Sequence, residues 1–199
     1  HVLSMRATLA VAVAAMLSAC APSRTPNTAP TPASDPRNTL KAGLFNAILH
    51  DTFASIAEAV RGVRASGGSP EVQLRAYVQA IAGVAVDRPF FPPIWLREVA
   101  EGGRHLDPAV AVHFREVLKM LGEILRDGTA AGTMRPVNPF LVQLGLVGPL
   151  TLFIASRPLR DKFARAHEGL DVEIDDMVAH LQAMVLGGIS TTTTARKSR

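Results

Sequence analysis

The residues able to do chemistry are few and scattered. His113 and Glu116 form a His-x-x-Glu step, and Glu101 and His105 flank a Gly-Gly pair. Imidazole and carboxylate groups on facing helices can hold a metal, but such sites need several carboxylates projecting inward together. Solvated side chains or a capping contact account better for these pairs, so no metal and no cofactor are expected. His167, Glu168, Asp171, Glu173, Asp175 and Asp176 could attract a cation. Such a run more often solvates a loop and suits the positive end of the helix that follows. There is no Gly-x-Ser-x-Gly elbow, no His-Glu-x-x-His, no phosphate loop and no dinucleotide fingerprint. Serines and histidines follow no triad order. The single cysteine, Cys20, precludes an internal disulfide and a Cys-x-x-Cys zinc cluster. These patterns predict a protein that is not an enzyme.

Aromatic residues make up only 5% of the chain, so their placement is informative. Ligand pockets are mostly apolar with a few polar groups. Tyr77, Phe91, Trp95, His113, Phe114, Met120 and Phe153 are therefore the expected lining of a pocket for a small hydrophobic molecule. Taken singly, each also fits an ordinary core position. Tyr77, Trp95 and His113 are preferred because each joins an apolar body to a polar handle.

The front of the chain carries a different chemistry. Met5-Arg6 precedes an apolar run from Ala7 to Met16, followed by Leu17-Ser18-Ala19-Cys20. A basic start, a short greasy stretch and small residues at a cut site make a secretory signal. Leu-Ser-Ala-Cys also resembles the lipobox of bacterial lipoproteins, in which the cysteine is lipidated and becomes the new N-terminus. The run is shorter than the ~20 residues that span a bilayer. Residues 1–20 are thus expected to be a signal-like segment, with membrane attachment only through a lipid at Cys20. That places the body in the periplasm or at the cell exterior; without a working signal it would be cytoplasmic.

The net charge of +4 invites a nucleic-acid reading, but its distribution argues against one. Arg6, Arg24 and Arg37 lie in the first 38 residues, and Arg196, Lys197 and Arg199 in the last five. Between Thr39 and Ala195 there remain 15 basic and 16 acidic side chains. A nucleic-acid surface needs a basic patch that displaces counterions, and none is evident in that body.

These residues must be positioned by helices. Residues 21–39 hold Pro22, Pro26, Pro30, Pro32 and Pro36 among small and polar residues and read as a semi-rigid linker. Residues 190–199, with four successive threonines, read as a disordered tail. Between them a capping residue precedes proline at Ser69-Pro70, Asp107-Pro108 and Asn138-Pro139. The cap accepts an orphan backbone N–H, and proline is tolerated at the first helical position. Gly67-Gly68, Gly102-Gly103 and Gly187-Gly188 mark expected helix ends. Helices are predicted at about 40–66, 70–87, 92–101, 107–131, 137–156 and 171–188, with apolar residues spaced at three and four. No segment alternates as a strand does. The expected fold is all-α, a bundle of about six helices over residues 40–189.

The helix at 137–156 stands out because Phe140, Leu141, Leu144, Leu146, Val147, Leu150, Leu152, Phe153 and Ile154 cover every side. A helix that is apolar all round should be buried all round, which in so small a chain calls for a partner chain. Gly145 and Gly148 would permit close approach of another helix, and Pro149 should kink this one. The last helix adds a stripe from Ile174 to Val185. The expected homodimer interface comprises Leu146, Leu150, Met177, Leu181, Met184 and Val185.

Several segments together resemble the TetR family of regulators. Lys41 to Leu49 looks like the start of that family's fourth helix, and Asp127 to Pro139 like the junction between its seventh and eighth. Leu96-Arg97-Glu98-Val99 followed by Gly102-Gly103 fits one of its branches. The resemblance covers about residues 40–189 and implies a C-terminal ligand-binding and dimerisation domain, with the last two long helices pairing across a four-helix bundle. It implies a mechanism in which a ligand shifts the helix arrangement. The family's helix-turn-helix unit is not seen in residues 1–38, so no direct DNA binding is expected of this chain as written. The alternative is an envelope lipoprotein whose helical body binds a lipid or a protein.

Overall fold

The computed structural model describes residues 36–103, 106–164 and 171–191. The signal-like segment, Cys20, most of the linker, His105, His167, Glu168 and residues 192–199 lie outside the described residues. Among the described residues seven α-helices follow one another: α1 Pro36–Ser66, α2 Pro70–Asp87, α3 Phe91–Ala100, α4 Pro108–Ala130, α5 Pro139–Ala155, α6 Arg157–Ala164 and α7 Ile174–Ile189. Among the described residues there is no strand, only an isolated bridge between Met134 and Ser190. The all-α expectation holds.

The three predicted cap–proline starts form as read. Ser69 Oγ accepts from the Val72 amide at 3.4 Å, Asp107 Oδ1 from Ala109 at 2.7 Å and Asn138 Oδ1 from Phe140 at 2.8 Å. Each such cap stabilises its helix by about 1 kcal/mol. At Gly67-Gly68 and Gly102-Gly103 the backbone turns to positive φ, as expected of helix ends built on glycine.

Several features differ from the sequence reading. α1 begins at Pro36 rather than near residue 40; Asp35-Pro36 repeats the cap–proline signature inside the stretch read as linker. α6 was not expected, because four of its eight residues are charged and only Leu159 and Phe163 are large apolar ones. α7 starts at Ile174 rather than 171 and ends at Ile189, one residue past the expected end; Ile189 is buried and its carbonyl accepts the Arg135 amide at 2.8 Å. Finally, Thr191 is held to the 132–135 loop by its amide, which donates to the Thr133 carbonyl at 3.0 Å. α5 continues through Pro149, and α5 and α6 meet at 57° across the break between them.

α1, 31 residues long, is the spine. Its second half packs on α2 and α4 through Ile56, Ala57 and Val60, meeting Leu74, Tyr77, Val78, Leu121 and Ile124. α5 and α7 close this core with Leu146, Leu150, Val178, Leu181 and Leu186. The first half of α1 packs on α3 and the start of α4 in a smaller cluster of Leu49, Phe53, Phe91 and Val110. Polar ties lock the far end. Arg64 donates to Gln73 Oε1 at 2.6 Å and pairs with Asp127 at 3.0 Å, joining α1, α2 and α4.

The junction Asp127–Pro139 is held by its own residues. A Cβ on Gly128 would lie 2.5 Å from Met134 Sδ and 2.7 Å from its Cγ, so only glycine lets buried Met134 seat against α4. The Thr133 and Met134 amides both donate to the Gly128 carbonyl at 3.0 Å. No single helix among the described residues is long and apolar enough to cross a membrane, and α5 with α6 meets that length and composition only as a bent pair.

Candidate functional site

The expected pocket residues are divided among three places. Phe91, Trp95 and Phe114 come together around Phe53, a residue the sequence reading did not single out. Phe53 meets Trp95 at 5.1 Å, Phe91 at 5.6 Å and Phe114 at 6.3 Å between ring centroids, all edge to face. These are favourable aromatic geometries, and with Phe53 and Phe91 both buried the group is a packed cluster. Its signal in the sequence was the spacing of Phe53 four residues after Leu49 on one face of α1. His113 lies beside this cluster, against His50 of α1.

Tyr77 and Met120 lie in the main core instead. Tyr77 is fully buried, and its hydroxyl donates to Oε1 of buried Gln143 on α5. Burial drives the Tyr77 pKa well above the ordinary tyrosine value, and the Gln143 contact opposes that only in part. The phenol therefore stays neutral as a fixed donor between α2 and α5.

Phe153 is the expected residue that borders an open cavity. This space of about 360 Å³ is walled by Val86 in the last turn of α2, Pro89 just after it, Pro93 of α3, Phe153 and Ile154 of α5, Arg157 and Arg160 of α6, and Val172 and Ile174 before and in α7. Its size falls at the lower end of small-molecule sites. The Arg160 guanidinium lies 3.6 Å from the Phe153 ring centroid, a cation–π contact. Its Nη1 donates to the Val172 carbonyl at 3.3 Å, while its buried Nε has no partner. Asp161, Asp171 and Glu173 border the same space, so apolar walls carry charges of both signs at the rim. Arg160 was missed in the sequence because α6 was.

The expected interface residues also divide. Leu146, Leu150 and Leu181 point into the subunit's own core, at 2%, 2% and 0% exposure, and are not surface contacts. Met177 packs half-buried against that core. Met184 is exposed and Val185 half-buried. The correction has a geometric cause: on a helix apolar all round, composition does not reveal which side faces in. The outward side of α5 carries Phe140, Leu141, Leu144 and Leu152, with Leu141 64% and Leu144 58% exposed. A groove of about 360 Å³ runs between α5 and α7, lined by Val137, Leu141, Val142 and Gly145 on one side and Met184, Val185 and Ile189 on the other. A Cβ at Gly145, Gly187 or Gly188 would meet nothing within 4 Å.

No family model matches the chain, and no curated protein matches it. Among solved structures, a protein of unknown function from Rhodococcus sp. RHA1 superposes with a TM-score of 0.57 at 12% identity, over 79% of this chain and 76% of that one. A transcriptional regulator of the TetR/AcrR family from Thermobifida fusca YX-ER1 aligns with a TM-score of 0.48 at 17% identity, over 76% of this chain and 74% of that one.

Proposed function

We propose that the helical unit is a homodimeric sensor of the TetR type that takes up a small hydrophobic molecule. The observation that carries the reading is the outer face of α5 and α7. Phe140, Leu141, Leu144, Leu152 and Met184 form its large exposed apolar side chains. Large apolar side chains left exposed together on one helix face are the mark of an interaction site. The glycines add a second reason. A helical glycine costs roughly 0.5–1 kcal/mol relative to alanine, and nothing inside the subunit crowds Gly145, Gly187 or Gly188. A second copy approaching closely would give them a purpose.

α5 also supplies Phe153 and Ile154 to the cavity. One helix thus borders both the ligand space and the dimer face. A molecule that fits the cavity better in one arrangement of α5 would shift the pairing of subunits, by no more than its difference in affinity for the two states. Sedimentation tests the dimer. The wild-type chain should sediment as a dimer and Leu144→Arg as a helical monomer; a monomeric wild type would overturn the reading.

Leu17-Ser18-Ala19-Cys20 favours a second reading of where this body works, as a lipid-anchored envelope protein. Metabolic labelling with a fatty acid should mark the wild type and not Cys20→Ser.

A further inference from the structure

Three arginines among the described residues are half-buried: Arg64, Arg88 and Arg160. Arg64 pairs with Asp127 at 3.0 Å, and Arg88 with Asp51 at 3.0 Å. Arg160 has no such partner: among the described residues no carboxylate pairs with it. A guanidinium carries several N–H donors and no acceptor. Arg160 spends one hydrogen bond, from Nη1 to the Val172 carbonyl at 3.3 Å, and its buried Nε has none. The Phe153 ring, 3.6 Å from the guanidinium carbon, offers a quadrupole but no full negative charge. Drawing a charge out of water without a counter-charge is costly. This cation also borders the cavity between α5, α6 and α7.

We propose that the cavity binds an amphiphile with a single negative charge, its carboxylate set against Arg160 and its apolar body along Val86, Ile154 and Ile174. The proposal rests on the reading of this unit as a sensor of small hydrophobic molecules and adds the head group. A carboxylate supplies the acceptors that Arg160 lacks, and hydrogen bonds between two charged groups are the strong ones. Planar guanidinium suits carboxylate better than an ammonium does. The rim limits the charge. Asp161, Asp171 and Glu173 border the same cavity and are exposed, so water satisfies them. Arg157, the other cation there, lies 4.0 Å from Asp161. A second negative charge on the ligand would meet these carboxylates, which disfavours a phosphate monoester by repulsion. A cationic ligand would set its charge against Arg160.

The test is calorimetry on the full chain with four probes: decanoate, 2-naphthoate, 1-decanol and decyl phosphate, each below its micellar concentration. Decanoate and 2-naphthoate separate a chain from a fused-ring body, and at least one should bind at a single saturable site. The carboxylate that binds should do so at least roughly tenfold more tightly than 1-decanol, and more tightly than decyl phosphate. Arg160→Gln should remove that tenfold advantage while leaving 1-decanol binding within about twofold, and Arg160→Lys should restore part of it. If 1-decanol binds as tightly as the carboxylates, or Arg160→Gln leaves carboxylate binding unchanged, the charged head group is wrong and the hydrophobic sensor still stands. Decyl phosphate as the tightest ligand would overturn the single charge. Saturable binding of none of the four would overturn both readings. The comparison of probes on the wild type decides the matter even where a variant fails to fold.

Discussion

α4 and α5 are neighbours built on opposite rules. α4 buries Val110, Val117, Met120, Leu121, Ile124 and Leu125 and turns Arg115, Lys119 and Arg126 outward, with Val112 as the large apolar exception near its start. α5 buries Gln143 and Thr151 beside Leu146 and Leu150, yet turns Phe140, Leu141, Leu144 and Leu152 outward. Its two buried polar side chains are satisfied: Gln143 accepts from Tyr77, and Thr151 Oγ1 donates to the Val147 carbonyl at 2.7 Å. α4 finds cover for its apolar side within its own chain. α5 is complete on its inner side and unfinished on its outer side. The difference teaches that the apolar content of a helix does not say how much of it its own chain covers; the direction of its polar residues does.

The contrast is broken most severely from inside. Leu181→Asp and Leu146→Asp each place a carboxylate in a close-packed core and remove a buried leucine. Each should cost about 3–5 kcal/mol or more, and thermal melts by circular dichroism should lose their cooperative transition. On the outer side, Leu144→Arg should leave that transition intact and lower the sedimenting mass. Equal unfolding by the inner and outer variants would erase the distinction between the two sides.

Tyr77→Phe probes the polar tie that lets α5 carry Gln143 inward. Losing the hydroxyl strands a buried amide at a cost of about 1–3 kcal/mol, read as a lower denaturant midpoint. The pH dependence has a definite sign. Because burial raises the folded Tyr77 pKa, its contribution is fully present below the unfolded value of about 10 and is lost as pH climbs from there toward the higher folded value. Denaturant midpoints from pH 8 to 11 should fall in the wild type more steeply than in Tyr77→Phe.

A finer separation comes from Gly145→Ala. A methyl group there meets open space within the subunit, so the monomeric background Leu144→Arg should gain about 0.5–1 kcal/mol of helix stability. The same change in the wild type should weaken the proposed dimer, measured as a higher dissociation constant by sedimentation. The smallest expected signal is at the cavity. Phe153→Ala removes the ring beneath Arg160 and should reduce the fluorescence enhancement of the probe 1-anilinonaphthalene-8-sulfonate without abolishing it.

Local chemistry made much of the fold legible. Ser69, Asp107 and Asn138 announced three helix starts because a side-chain cap and a following proline act within a single turn. The spacing of Leu74, Tyr77, Val78 and Ile81 announced a buried face for the same reason. α6 was hidden because its eight residues are only about two turns with two large apolar side chains, Leu159 and Phe163, among four charged ones, and Arg160 was hidden with it. Gly187-Gly188 marked the end of the last helix to within one residue, whereas its start was read at 171 because Asp171 and Glu173 resemble the acidic first turn that begins only at Ile174.

The amino-acid order by itself determined that this chain is helical, where most helices begin, and that α5 has no polar side to offer water. These follow from interactions between residues at most four apart. Only the tertiary structure decided that Leu146, Leu150 and Leu181 face inward while Leu141, Leu144 and Met184 face out, that Phe53 gathers the aromatic residues, and that His50 meets His113. Those outcomes depend on how helices distant in sequence rotate and pack against one another, and rotation about a helix axis is set by the neighbours that fill the space around it.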